Sequence, residues 1–300
     1  EWLIDPTDIG SGKSGDFTID STSEVSSIVN ALKTSDVRVL AGGDVNINSA
    51  INSTSLNTLT LESTGKNVYF KNDVTVNSLI VDAYGGIYTY SNPVDITTQG
   101  DVILTADYKR NGDGFFWLQQ DLTIRSNGGD VVIGGGSDAL GFVEGSSKSA
   151  FKNDAKLLIV TSGGDISIKA KSASGLSVVH FNARTTLNTG GGNLTIVGKS
   201  TGDRGVYFAD RFTLLSNGGD VSITGTGDSI GVHVASSITT SRVDTNGGAF
   251  TLTAKGGSDG FKLEDPVSID TSDALGVGAG DISITPSTPC NIAKGLYFNE

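Results

Sequence analysis

The hexapeptide Ser-Asn-Gly-Gly-Asp-Val stands at residues 126–131 and again, unchanged, at 216–221. It belongs to a longer series: GGDVNI (42–47), QGDVIL (99–104), GGDVVI (128–133), GGDISI (163–168), GGNLTI (191–196), GGDVSI (218–223), GGAFTL (247–252) and AGDISI (279–284). From residue 99 onward the steps are 29, 35, 28, 27, 29 and 32 residues. A turn that returns at a nearly fixed period of this size is the mark of a solenoid, in which each repeat buries its apolar face against the next.

Each step holds two further short runs of alternating apolar residues. One follows Gly or Asn: NVYF (67–70), GIYTY (86–90), GFFWL (114–118), GFV (141–143), GVYF (205–208), GVHV (231–234), GFKL (260–263) and GLYF (295–298). The other precedes the next Gly pair: VTV (74–76), VDI (94–96), LTI (122–124), FTLL (212–215) and VSI (267–269). Three short strands per step, parted by Gly, Asn, Asp and Ser, predict a parallel β-helix over residues 41–300. The connections are too short and too polar for the crossover helices of a doubly wound parallel sheet. Alternation sends Val131, Ile133, Val221, Ile223, Val206 and Phe208 inward, with Tyr207 and His233 outside.

The glycine corner has a physical reason. Coils must turn at the same place if their strands are to stack, and Gly128, Gly129, Gly218 and Gly219 offer backbone conformations that other residues resist. Asp130 and Asp220 are placed to bond nearby backbone amides. Residues 1–40 read differently, as a cap-like segment. Val25, Ile28, Val29 and Leu32 have helical spacing, and Ser21 with Glu24 makes a capping box, predicting a helix over about 22–33. At the other end GLYFNE stops within a coil, so the natural chain is expected to continue. The missing initiator Met points to a processed chain or a fragment.

Composition narrows the function. A net charge of −12 argues against nucleic acid and anionic membrane surfaces. No apolar run reaches the length of a transmembrane helix. The single Cys290 builds neither a disulfide framework nor a metal site.

The repeats, together with the opening EWLIDPTDI, resemble the filamentous-haemagglutinin and high-molecular-weight adhesin exoproteins of two-partner secretion in Gram-negative bacteria. That resemblance implies a right-handed β-helix shaft, displayed outside the cell or on the bacterial surface. Its partners would be cell-surface or glycan receptors or neighbouring fibre subunits, with end-to-end self-association also implied for an open coil. The Asn-Pro-Asn motifs of that family's secretion domain do not occur here, so the segment reads as shaft.

Two columns carry candidate chemistry. The first is Asp44, Asp101, Asp130, Asp165, Asp220 and Asp281, interrupted by Asn193 and Ala249. It is read as a repeated turn residue and not a calcium ladder, because the calcium-binding nonapeptide is missing. The second is a surface stripe of Tyr69, Tyr88, Phe116, Val143, His180, Tyr207, His233, Lys262 and Tyr297. Its rings suit stacking on sugars or on a neighbouring fibre, although Tyr and Phe also favour strands for their own sake. With Tyr207 between them, the two histidines stand too far apart to share one metal ion, so no cofactor is expected. The competing reading is a carbohydrate-active β-helix hydrolase or lyase. Asp138, Glu144 and Asp154 in the longer coils are the carboxylates it would draw on, without a reciprocal pair that the spacing identifies. GSGKSG (10–15) lacks the glycine spacing of a phosphate-binding loop.

Overall fold

A strand that is apolar at every second position buries one edge of its side chains only if another strand repeats the pattern directly above it. The chain meets that condition by winding. The computed structural model describes residues 7–10, 15–108, 112–136, 141–146, 149–173, 177–235, 240–273, 279–287, 290–292 and 296–299. Among these, every named strand pairs in parallel with its counterpart in the coil before or after it, forming three sheets of 12, 11 and 10 strands. The first sheet runs from Thr7–Gly10 to Ile282–Pro286, the second from Phe17–Ile19 to Asn291–Ile292, and the third from Ile51–Asn52 to Leu296–Asn299. This is a right-handed parallel β-helix of three strands per coil.

The repeat steps read from the sequence are the register steps of the first sheet: Val102 pairs with Val131, and the ladder continues through Ile166, Leu194, Val221, Phe250 and Ile282. The early coils are shorter, with Val37 pairing with Leu59, Leu59 with Leu79 and Leu79 with Val102. Val131, Ile133, Val206, Phe208, Val221 and Ile223 all lie in one continuous core. Burying each contributes roughly 1.5–3 kcal/mol relative to exposure. Inside the second sheet, rings stack along the axis: Phe116 on Phe151 at 5.4 Å and Phe181 on Phe208 at 4.8 Å. The core also admits one amide. Asn153, fully buried, donates to the carbonyls of Ala155 and Ala183 and to the Thr185 hydroxyl, while its Oδ1 accepts the Asn182 N–H.

The expected helix spans Thr22–Leu32 and carries the capping box of Ser21 and Glu24, burying Ile28 and Leu32. It occupies the place of a third-sheet strand in the first coil. Thr7–Gly10 and Phe17–Ile19 pair with Val37–Leu40 and Val45–Ile47, so the first two ladders begin before residue 40. At the opposite end, inward positions of the last coil are poorly covered: Ile282, Ile284 and Leu296 are half-buried, while Ile292 and Phe298 are exposed.

Each glycine and hydroxyl of the repeated hexapeptide has its own structural role. The buried Ser126 hydroxyl donates to the carbonyl of Gly129, and Ser216 does the same to Gly219. Asn127 and Asn217 have φ of 49° and 51°, and Gly128 and Gly218 follow at 114° and 107°. The second glycine serves a different need. A Cβ on Gly129 would lie 2.2 Å from the carbonyl carbon of Gly100, and one on Gly219 would lie 2.0 Å from the Gly192 oxygen. One glycine supplies the turn and the other lets the coils touch.

The aspartates complete the corner. Asp101 Oδ1 accepts the N–H of Asp130 at 2.9 Å, Asp130 that of Asp165 at 2.8 Å, and Asp165 that of Asn193 at 2.6 Å. Asn193 passes the pattern to Asp220 at 3.0 Å, and Asp220 to Ala249 at 2.8 Å. Ala249 has no acceptor to offer the next coil. Asp44 belongs to a different column, at the corner before the second sheet, where Asp16, Asp44 and Asn67 accept the N–H groups of Asp44, Asn67 and Gly86.

Candidate functional site

The outward positions of the second sheet form one vertical column because the ladder aligns them: Asn46, Tyr69, Tyr88, Trp117, Lys152, His180, Tyr207, His233, Lys262 and Asn291. Tyr69, Tyr88, His180, Tyr207, His233 and Lys262 therefore stand where the sequence pattern placed them. Three assignments are corrected. Phe116 points into the core and Trp117 takes its outward position. Val143 is buried in an extra strand, Val143–Gly145, that pairs with Ala170–Ser172 of the first sheet, and Lys152 fills its place in the stripe. Tyr297 lies in the third sheet opposite Ser268 and is well exposed there.

A strand spacing of about 4.8 Å brings rings in neighbouring coils into stacking distance. Tyr69 and Tyr88 stack with centroids 4.8 Å apart and planes at 15°. Tyr88 also meets the edge of Phe115 and a tilted Trp117. Farther along, Tyr207 lies between His180 at 4.7 Å and His233 at 4.9 Å, with the Arg204 guanidinium 4.4 Å from its centroid. Lys71 and Lys152 stand 5.9 Å and 5.6 Å from the rings of Tyr69 and Trp117. In the Tyr69–Tyr88 and Tyr207–His233 pairs, with planes at 15° and 21°, the ring faces are turned toward one another along the solenoid axis.

Burial sets the titration of these groups. It pushes the Tyr88 hydroxyl well above its ordinary value and raises Tyr69, which Asp44 raises further. It pushes the His180 imidazole down to about 4, helped by the nearby Lys152 ammonium. His233 is only 4% exposed, so its expected outside position is covered. Burial lowers its pKa against the opposing carboxylate of Glu264, whose Oε2 lies 3.1 Å from Nε2. Both imidazoles are thus neutral near pH 7, and Tyr207 separates them.

Of the open grooves along the solenoid, two lie beside candidate residues. The first, of about 450 Å3, is lined by Glu144, Ser146, Lys171, Lys199, Ser200 and Thr226 among others, with Glu144 paired to Lys171. The second, of about 430 Å3, lies over Asp44, Asn46, Tyr69, Lys71, Tyr90 and Gln119, beside Tyr88. Among the described residues each groove holds one carboxylate. Asp154 is elsewhere, at the end of a second-sheet strand. It accepts from Trp117 Nε1 at 2.7 Å and Asn182 at 2.7 Å and pairs with Lys152 at 2.9 Å. Burial raises the Asp154 carboxyl, but these partners together hold it below the ordinary range. Asp138 lies outside the described residues. Among the described residues no helix is long and apolar enough to cross a membrane.

Tyr90, Lys71 and Gln119 went unnoticed in the sequence. Each lies two residues beyond the stripe position of its coil, past the last alternating residue, and that fixed offset was the available signal. Compared with known proteins, the chain matches no family model, no curated protein and no solved structure.

Proposed function

We propose that the chain is a structural and adhesive segment of a large bacterial extracellular or cell-surface protein, a shaft whose outward stripe makes contacts. The observation that carries this reading is the regular column of rings and cations from Tyr69 to Lys262, held in register by one ladder. Such a column repeats its chemistry along the axis and suits an extended partner, such as a glycan chain or a second fibre. The resemblance to two-partner-secretion exoproteins gives the same reading, with export to the cell surface.

The test is attachment. The purified chain should bind cells, immobilised glycans or its own kind, and Tyr69→Ser, Tyr88→Ser and Tyr207→Ser combined should weaken that binding while circular dichroism stays β-rich. Unchanged attachment in the triple variant would leave the shaft as a passive spacer. Release of reducing ends or unsaturated products from polysaccharides would promote the hydrolase or lyase reading, with Glu144 as the first carboxylate to replace.

A further inference from the structure

The groove beside Tyr90 differs from the rest of the stripe. Backbone bonds from Lys71 to Ile47, Tyr90 to Phe70 and Gln119 to Thr89 place these three residues at the same corner of three successive coils. Tyr90 is 50% exposed, and no ring stacks on it among the described residues. Its neighbours along the axis are an ammonium on one side and a primary amide on the other. Lys71 Nζ is oriented by Asn46 Oδ1 at 2.9 Å, so the donor is already in place. Asp44, whose Oδ1 accepts the Asn67 N–H, closes the groove margin with an acceptor.

We propose that this groove is a binding subsite for one neutral hexose ring, seated against Tyr90 and hydrogen-bonded by Lys71, Gln119 and Asn46. The proposal deepens the adhesive reading and rests on it. A pyranose has an apolar C–H face and a rim of hydroxyls that donate and accept. The groove has the matching parts: an accessible aromatic surface ringed by one cation, two amides and a carboxylate. A flat aromatic ligand would leave those polar groups unmatched. An anionic sugar would meet Asp44 and a molecule of net charge −12. An open groove of about 430 Å3 accommodates a single ring of a longer chain and gives one weak contact, which several copies displayed together would strengthen by avidity.

The test is a ligand-observed NMR titration of the whole 300-residue chain with methyl glycosides of glucose, galactose, mannose and N-acetylglucosamine, and with methyl glucuronide as the anionic arm. The expected result is saturable millimolar binding of at least one neutral glycoside. Tyr90→Ala should weaken it about tenfold, a loss of about 1.4 kcal/mol. Tyr90→Phe should retain it, Gln119→Ala should weaken it, and Tyr297→Ala, an exposed tyrosine elsewhere, should leave it unchanged. Binding of no neutral glycoside, binding of glucuronide alone, or equal binding by native protein and the Tyr90→Ala and Gln119→Ala variants would overturn the subsite. A chain that attaches to cells yet binds no glycoside loses the subsite and keeps the adhesive reading. One that binds a glycoside and attaches to nothing does the reverse.

Discussion

Asn193 Oδ1 accepts the backbone N–H of Asp220, one coil further along, at 3.0 Å. It is the one amide in a run of carboxylates, and it makes the same bond. The corner therefore needs an acceptor of the right reach, and charge is incidental. Asn193→Ala should cost about 1 kcal/mol, the worth of one net hydrogen bond. Asn193→Asp should keep the bond but add a like charge between Asp165 and Asp220, so its deficit should shrink with added salt. Urea unfolding at low and high ionic strength separates the two; equal losses for both variants at both salts would refute this.

The two glycines of the repeated corner fail differently when substituted. Gly218→Ala meets only the Asn246 carbonyl oxygen, 4.0 Å from its new methyl, but must hold a φ of 107°, at a cost of about 1–3 kcal/mol. Gly219→Ala drives its methyl into the Gly192 carbonyl and forces two coils apart. Gly219→Ala should therefore show the lower melting temperature and expose more apolar surface to a hydrophobic dye.

Protonation of His180 opposes folding. Its pKa is about 4 in the folded chain, against 6.5 for an unperturbed imidazole. Between those values the unfolded chain takes up a proton that the folded one refuses. The stability that this neutral ring contributes is complete above pH 6.5 and is lost as pH falls toward 4. Each pKa unit corresponds to about 1.4 kcal/mol, and partial solvent exposure reduces the total to the order of 2 kcal/mol. His180→Gln should flatten this part of the pH–stability curve; a parallel curve for the variant would assign the loss to other groups.

The exposed last coil should mediate self-association. Ile292 and Phe298, 48% and 46% exposed, lie on the edge strands of the second and third sheets. Sedimentation velocity should show concentration-dependent oligomers that Ile292→Glu with Phe298→Glu suppresses. Persistence of the oligomers in that double variant would move the contact elsewhere.

The period, the three strands per coil, the capped helix and the inward face were legible because each is a local pattern repeated many times. Where one pattern fits two placements, alternation alone does not choose between them. Residues 115–117 are Phe-Phe-Trp, apolar in either phase, and only the ladder from Ile87 to Phe116 selects the inward ring. Gly-Leu-Tyr-Phe at 295–298 looks like Gly-Val-Tyr-Phe at 205–208, yet Asn291–Ile292 already continues the second sheet and sends Leu296–Asn299 to the third. His233 shows a different gap. Alternation identifies the face of the sheet, but the cover over it comes from Glu264 and Tyr207 in adjacent coils. The hydroxyl at the corner is a pattern missing from the sequence reading, although its spacing is regular: Thr161, Ser216 and Thr245 each stand three residues before the glycine whose carbonyl they bond.

The missing side-chain link at Ala249 has a mechanical meaning. Hydrogen bonds between coils run along the axis, so tension applied to the two ends loads the coil interfaces in series, and the weakest opens first. The junction after Ala249 has the ladder bond from Asp220 on one side and no acceptor to pass on. Under a steady pull, extension should begin there and proceed toward the helix-capped end. Each freed coil would add about 100 Å of contour at the usual reach per residue, making the solenoid a spring that lengthens in steps.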